Sequence, residues 1–392
     1  MTITQTQLHG TCAPGFEPVR AAFAENLARR GELGAAVAVV AQGRPVVDLW
    51  AGWADPARTR PWQAGTLTNV WSVTKAMTAV CVHILMDRAG LDPDQPVARY
   101  WPEFAAGGKS GVTVRWLMSH RAGLAGFAEP VSVAGLADWE KMTSLLAAQE
   151  PLWQPGTAAG YHAVTFGYLA GELVRRITGQ SPGRFFATEV AGPLGADACI
   201  GVPAADLARC SELQAARLPP DDRDVRQRAF AAAHPAAAAA IGNPVIQAGD
   251  TASPAWRQAE IPAANGHATA LGLATIFGSL VDGSQALVSA ATVRAAATGQ
   301  GRSTDLVLRL PLDYGLGFML SGPEGHFGPS RAAFGHDGSG GCSVWADPER
   351  GVALAYVMNR MGRSLMDDPR KMALTAALAE CLGQGAAPAF TF

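Results

Sequence analysis

The sequence predicts an α/β protein, an antiparallel sheet built from both termini and flanked by helices, plus a mostly helical region. Strand-like apolar runs fall near the N-terminus at residues 35–41 and 45–49, and near the C-terminus at 314–320, 342–345 and 352–358. Between them, apolar residues recur at helical spacing. Strands at both ends with helices between them pack most simply as one sheet assembled from the termini. The chain has 392 residues, 48% hydrophobic and 16% charged, which is enough to bury a large core and too apolar for disorder. The expected division is residues 1–70 and 264–392 for the α/β part and 71–263 for the helical part, with an insertion near 218–241.

Each element has a local reason. Residues 16–30 are apolar at helical spacing and stop at Gly31, a residue suited to a left-handed cap. The runs 35–41 and 45–49 are joined by Gln42-Gly43, a two-residue hairpin turn. Helices are expected over 71–89, before Gly90, and over 161–177, closed by Gly179, with a short one starting within 112–119 and a further turn or two at 185–190. Residues 218–241 combine a charge run (221–228) with an alanine-rich tract broken by Pro235. That composition reads as a solvated helix or surface insertion, with a lid over a pocket as the alternative. Residues 269–280 are amphipathic, 347–351 (Asp-Pro-Glu-Arg-Gly) turn between two strands, and 371–381 form a closing helix. No internal repeat is visible.

Composition excludes several functions. With 31 basic and 33 acidic residues there is no positive excess to neutralise phosphates, so no nucleic-acid partner is expected. The longest apolar runs are too short to span a bilayer, and residues 1–16 lack a basic and then apolar leader. A cytoplasmic chain without membrane contact is expected. The six cysteines are scattered with no Cys-x-x-Cys, which suggests reduced thiols. The histidines are dispersed, and no phosphate loop or His-Glu-x-x-His helix occurs, so neither cofactor nor metal is expected. A nucleophile elbow of the Gly-x-Ser-x-Gly kind is not expected either.

Three features can carry chemistry. Ser72-Val73-Thr74-Lys75 is the one Ser-x-x-Lys in a chain with only four lysines. Three residues apart on a helix, the two side chains share a face, and an amine beside a serine hydroxyl can help it lose its proton. The bland alternative is a capping serine with a surface lysine. Tyr161, one of five tyrosines, lies where Pro155-Gly156 and Gly160 lead from a loop into a helix. A phenol near an ammonium ionises more readily and can act as a base, although a tyrosine is more often core packing. Residues 334–341, Phe-Gly-His-Asp-Gly-Ser-Gly-Gly, place four glycines within seven residues around His336 and Asp337. Such a backbone can approach a ligand closely. The Ser339 N–H, on the segment turned by Gly338, could join the Ser72 N–H in an oxyanion hole. The alternative is an ordinary glycine-rich loop before a strand.

The order Ser-x-x-Lys, Tyr-x-x, His-x-Gly resembles that of class C β-lactamases, serine penicillin-binding peptidases and family VIII carboxylesterases. Leu117-Met118-Ser119-His120-Arg121-Ala122-Gly123-Leu124 looks like their Leu-Leu-Ser-His-Thr-Ser-Gly-Leu. Gln154-Pro155-Gly156-Thr157 before Tyr161, and Tyr314-Gly315-Leu316-Gly317-Phe318, are also similar to family motifs. The resemblance covers most of the chain. It implies a β-lactamase/penicillin-binding-protein-like fold and an acyl-enzyme formed on Ser72, with Lys75 and Tyr161 as one proton-accepting unit. Two positions depart from the lactamase pattern. Ala163 stands where an asparagine contacts an acyl amide, and His336 stands where a lysine holds a carboxylate. Both changes remove recognition of carboxylated peptides or lactams and favour a carboxylesterase acting on small or medium acyl esters. His336 would orient the proton unit or the leaving group, and Trp71, Trp153 and Trp345 would line an acyl pocket, unless they are core tryptophans. The rivals are a β-lactamase, D-Ala-type peptidase or amidase with the same core, and a ligand receptor without turnover. Natural substrate and oligomeric state are not legible in the sequence.

Overall fold

The two ends of the chain meet along a single strand pair. The computed structural model describes residues 7–216, 232–323, 325–328, 330–364 and 366–383. Strands β1 (His9–Cys12), β2 (Gly34–Ala41), β3 (Arg44–Gly52), β4 (Met319–Leu320), β5 (Phe334–Asp337), β6 (Ser343–Asp347) and β7 (Val352–Met358) form one sheet in the order β1-β3-β2-β7-β6-β5-β4. Every pairing is antiparallel. β2 and β7 join the termini, with Ala41 opposite Val352 and Ala35 opposite Met358. Every residue of both is buried, which accounts for their unbroken apolar sequences: covered on both faces, they have no polar side to alternate with. Gln42 (φ 50°) and Gly43 (φ 74°) make the expected hairpin turn, whose left-handed pair matches the strand twist.

The helices that position the site and pack on the sheet are α1 (Glu17–Arg29), α2 (Val73–Arg88), α3 (Val114–Met118), α4 (Trp139–Ala148), α5 (Thr165–Thr178), α6 (Ala270–Ser279) and α7 (Pro369–Gly383), with shorter helices between them. Register assigns them to faces. Val40, Ala353, Ala346 and Phe334 stand opposite one another across the strands, so His336, two residues beyond Phe334, shares their face. α6 packs there, with Gly278 against Val40, and α2 covers β5. α7 lies against the other face, where Lys371 meets Asp337, and it packs on α1. α2 is buried from Val73 to Leu85, a helix enclosed on all sides. A small sheet of Thr68–Asn69, Gly266–Ala268 and Ala198–Ile200 ties the segment before α2 to that before α6.

Several expectations shift. The strand expected at 314–320 is only Met319–Leu320, because Leu316 N–H donates to Ala296 O (2.8 Å) and Gly317 N–H to Met118 O (2.8 Å), not to a strand partner. The helix expected from 161 starts at Thr165 and ends as expected on Gly179 (φ 72°). α4, capped by Asp138, had not been anticipated. Residues 185–190 lie in Pro182–Phe186 and the π-turn that follows. The charge run 221–228 lies outside the described residues, while the alanine tract forms the half-exposed helix Pro235–Gly242. Among the described residues, no helix is long and apolar enough to cross a membrane.

Candidate active site

Ser72 opens α2, but its side chain makes no cap. The residue before it, Trp71, sits at φ 49°, a left-handed conformation rare for a bulky side chain and a mark of local strain. Thr74 holds that turn by donating to Trp71 O and accepting from Gly266 N–H (2.8 Å). One turn into α2, Lys75 is 0% exposed, which rules out a surface lysine. Its Nζ donates to Ser72 Oγ (3.0 Å) and to Ala263 O (3.0 Å), with no carboxylate among these partners. Burial drives its pKa well below the usual lysine value, so the free amine is favoured.

Tyr161 reaches the same point from the loop ahead of α5. Lys75 Nζ lies 4.7 Å from the centre of its ring. Its hydroxyl is buried without a hydrogen-bond partner. Burial pushes the phenol pKa up, and the neighbouring Ser72 hydroxyl pulls against that push. Hydroxyl, amine and phenol from segments some ninety residues apart are therefore brought together.

β5 closes the other side. The His336 ring lies 6.0 Å from that of Tyr161. Burial lowers the imidazole to about 3, with Lys75 acting in the same direction when it carries its proton, so it is neutral. Its Nδ1 bonds to Asp337 O (2.7 Å), a carbonyl that can only accept. The ring proton is therefore on Nδ1, and Nε2, buried and unpartnered, is an acceptor. Asp337, next along the strand, points to the opposite face and meets Lys371 Nζ (3.0 Å) and His326. Burial pushes its carboxyl up, but Lys371 and His326 more than offset this and hold it at about 2. Gly338 ends β5 against the chain before Ser72, where an added Cβ would stand 2.3 Å from Val70 O. Gly341 N–H donates to Gly338 O (3.1 Å), closing a turn that carries Ser339. Among the described residues, no acceptor takes the N–H of Ser72 or of Ser339.

The three tryptophans separate. Trp71 is buried beside Trp256, with ring centres 6.2 Å apart. Trp153 donates to Ala158 O (3.1 Å) and packs on His162 and Gly160, supporting the Tyr161 loop. Trp345 stands opposite Gly335, on the sheet face away from His336 and against Gly328. It does not face Ser72, because neighbouring strand residues alternate sides.

Two further features emerge. Gly179-Gln180-Ser181-Pro182-Gly183 does match Gly-x-Ser-x-Gly, contrary to the expectation above. Ser181 there caps a short helix, accepting from Arg184 N–H (3.3 Å) and donating to Glu260 (2.6 Å), with no histidine partner. Around Tyr161, His120 (φ 61°) packs on the rings of Tyr161 and Tyr314, and its Nδ1 accepts from His162 N–H (3.1 Å). Burial drives His120 well below the usual histidine value. Both His120 and Tyr314 stand in the motif stretches quoted above. Asp305, which accepts from Tyr161 N–H (3.1 Å), sits in no motif. Among the described residues, no cluster of histidine, cysteine or carboxylate side chains could hold a metal ion.

The chain is similar to several known proteins. The beta-lactamase family model matches residues 19–377. Esterase/beta-lactamase LipL of Mycobacterium tuberculosis (strain ATCC 25618 / H37Rv) is 38% identical over 368 residues, 91% of this chain and 83% of that protein. The crystal structure of a family VIII carboxylesterase superposes with a TM-score of 0.89 at 40% identity, covering 96% of this chain and 100% of the other. A penicillin-binding protein homologue from Caulobacter crescentus gives 0.88 at 41% identity, with the same coverage.

Proposed function

This chain belongs to the beta-lactamase family, and on that premise we propose that it is a serine hydrolase that cleaves small or medium acyl esters through an acyl-enzyme on Ser72. The observation that carries this reading is the 3.0 Å contact between Lys75 Nζ and Ser72 Oγ, made by a buried amine with no acidic partner among its hydrogen bonds. Such an amine is a base waiting for a proton.

Lys75 and Tyr161 act as one coupled unit, so the proton belongs to the pair. The unit takes the Ser72 proton as Oγ attacks the ester carbonyl. The N–H groups of Ser72 and Ser339, free of other acceptors, stabilise the oxyanion. The C–O bond breaks, the proton returns through Tyr161 to the departing alcohol, and water then hydrolyses the acyl-enzyme. His336 offers Nε2 as an acceptor beside Tyr161 and orients the unit or the leaving group. The imidazole is neutral and Ala163 has no amide, so these two positions offer neither a cation for a carboxylate nor a partner for an acyl amide. This favours neutral esters over carboxylated lactams.

Lactam hydrolysis is the second reading, supported by the double name of the LipL relative. Turnover of a short-chain p-nitrophenyl ester beside a chromogenic cephalosporin, on wild type and on Ser72→Ala, tests both. The expected result is dominant ester turnover that Ser72→Ala abolishes while the fold is kept. A dominant lactam rate reverses the order of the two readings, and an active Ser72→Ala removes Ser72 as nucleophile. A stable Ser72 adduct without turnover, seen by mass spectrometry, would identify a receptor.

A further inference from the structure

We propose that Asp305 is a positioning residue for the reaction, its buried carboxylate fixing the backbone from which the Tyr161 phenol projects toward Ser72 and Lys75. The inference rests on the reading that Tyr161 shares the proton with Lys75. Asp305 is 0% exposed, lies within none of the motifs quoted above, and its carboxylate takes four hydrogen bonds. Oδ1 accepts from the N–H of Tyr161 (3.1 Å), Val307 (2.8 Å) and Leu308 (2.7 Å), and Oδ2 from the hydroxyl of Tyr314 (2.9 Å). Leu306 N–H donates to Ala159 O (2.9 Å), giving the two loops a second clasp.

The residues it holds explain why the clamp matters. The chain at Tyr161 is neither helix nor strand, so no regular ladder fixes it. Tyr314, held at its hydroxyl by Asp305, presents its ring to His120 (centres 4.7 Å apart), and His120 packs on Tyr161 (5.1 Å). One carboxylate thus secures Tyr161 twice, through its own N–H and through the aromatic wall beside it. Displacing a catalytic group by about 1 Å can cost on the order of 100-fold in rate.

The carboxylate also contributes charge. The groups facing Tyr161 are Ser72 and Lys75 from α2, His336 from β5 with Asp337 across the strand, His120 from the loop after α3, the Tyr314 phenol ahead of β4, and Asp305. His120 and His336 are neutral, and Asp337 is committed to Lys371. Burial raises the Asp305 carboxyl pKa and its four uncharged donors pull against that push, while the negative charge of its ionised form makes the Tyr161 phenol of the unit hold its proton more tightly.

Asp305→Asn is close to isosteric and keeps an acceptor for the three N–H groups, while removing the charge. Its ester kcat should fall about 10- to 100-fold with KM within about twofold, the signature of an interaction made in the reaction and not in ground-state binding. The acid limb of its pH–rate profile, where the unit must lose its proton before it can act, should move to lower pH. A role limited to folding would lower the melting temperature and leave that limb in place. Tyr314→Phe removes a single donor and should also lower kcat. The two changes combined should cost less than the sum of their separate effects, because they act through one clamp. Wild-type kcat or an unmoved acid limb in Asp305→Asn overturns the proposal. If Asp305→Asn does not fold, wild-type kcat in Tyr314→Phe overturns it. Ser72→Ala run alongside separates the two questions: an active Ser72→Ala refutes the hydrolase site, whereas an inactive one beside a wild-type-like Asp305→Asn refutes the clamp alone.

Discussion

Lys75 shows how one residue carries both a cost and a proposed function. In the unfolded chain it titrates near the ordinary lysine value of about 10.4, while in the fold burial holds it well below that. Between those two values the unfolded state binds a proton that the folded state does not. Stability attributable to Lys75 therefore rises with pH across that window, by up to about 1.4 kcal/mol per pH unit, and levels off above the unfolded pKa. Lys75→Met should abolish ester turnover and remove this slope. Denaturant melts of both proteins at pH 7 and pH 9 measure it, and equal pH slopes would contradict the buried free amine. The Ser-x-x-Lys spacing was legible because a helix sets it, but the lysine's burial was not, since α5 and the segment ending at Ala263 enclose it from far away in sequence. Asp305 was wholly illegible: nothing about an aspartate in a polar loop says which N–H groups will converge on it.

At the scale of elements, β5 turns alternation into a division of labour. His336 faces α2 and the reacting groups, while Asp337 faces α7 and an ammonium. His336 and Asp337 are adjacent in the sequence, but the pleat separates the two. The same rule takes Trp345 away from the site. Gly338 marks where β5 comes closest to the entry of α2. Gly338→Ala would drive its methyl into Val70 O and push the Ser339 turn from Ser72. Its kcat should fall about 100-fold, with a smaller drop in melting temperature. Paired kinetics and thermal melts test this, and an unimpaired Gly338→Ala would show that the close approach is not needed. The hairpin and the stop of α5 were readable from Gln42-Gly43 and Gly179, where backbone conformation is a local property. The start of α5 was not, because residues 161–164 answer to side chains on distant loops.

For the whole molecule, the closing pair β2–β7 joins the N- and C-terminal strands, and one large apolar core, with residues from Phe16 to Leu382, spans the described residues beside a small cluster of Leu67, Val202 and Cys210. α2 touches the sheet at β5 and the helical middle at α5. Unfolding should therefore be one cooperative transition, with tryptophan fluorescence and far-ultraviolet circular dichroism giving coincident midpoints. Two separated midpoints would show that the sheet and the helical middle melt independently. Ester turnover should be lost at that same midpoint, because the proposed site draws Ser72 and Lys75 from α2, Tyr161 from the loop before α5 and His336 from β5.

What the sequence determined by itself was everything set by short-range spacing: alternating or unbroken apolar strands, helix stops at glycine, Ser72 and Lys75 on one face, and the motif order that marks the family. The tertiary structure alone decided which groups meet. The burial of Lys75 beneath Ala263 and the bond from Tyr161 to Asp305 join segments more than a hundred residues apart, and the face taken by Trp345 follows from strand pairing; side-chain environment is a property of three-dimensional neighbours that no local pattern encodes.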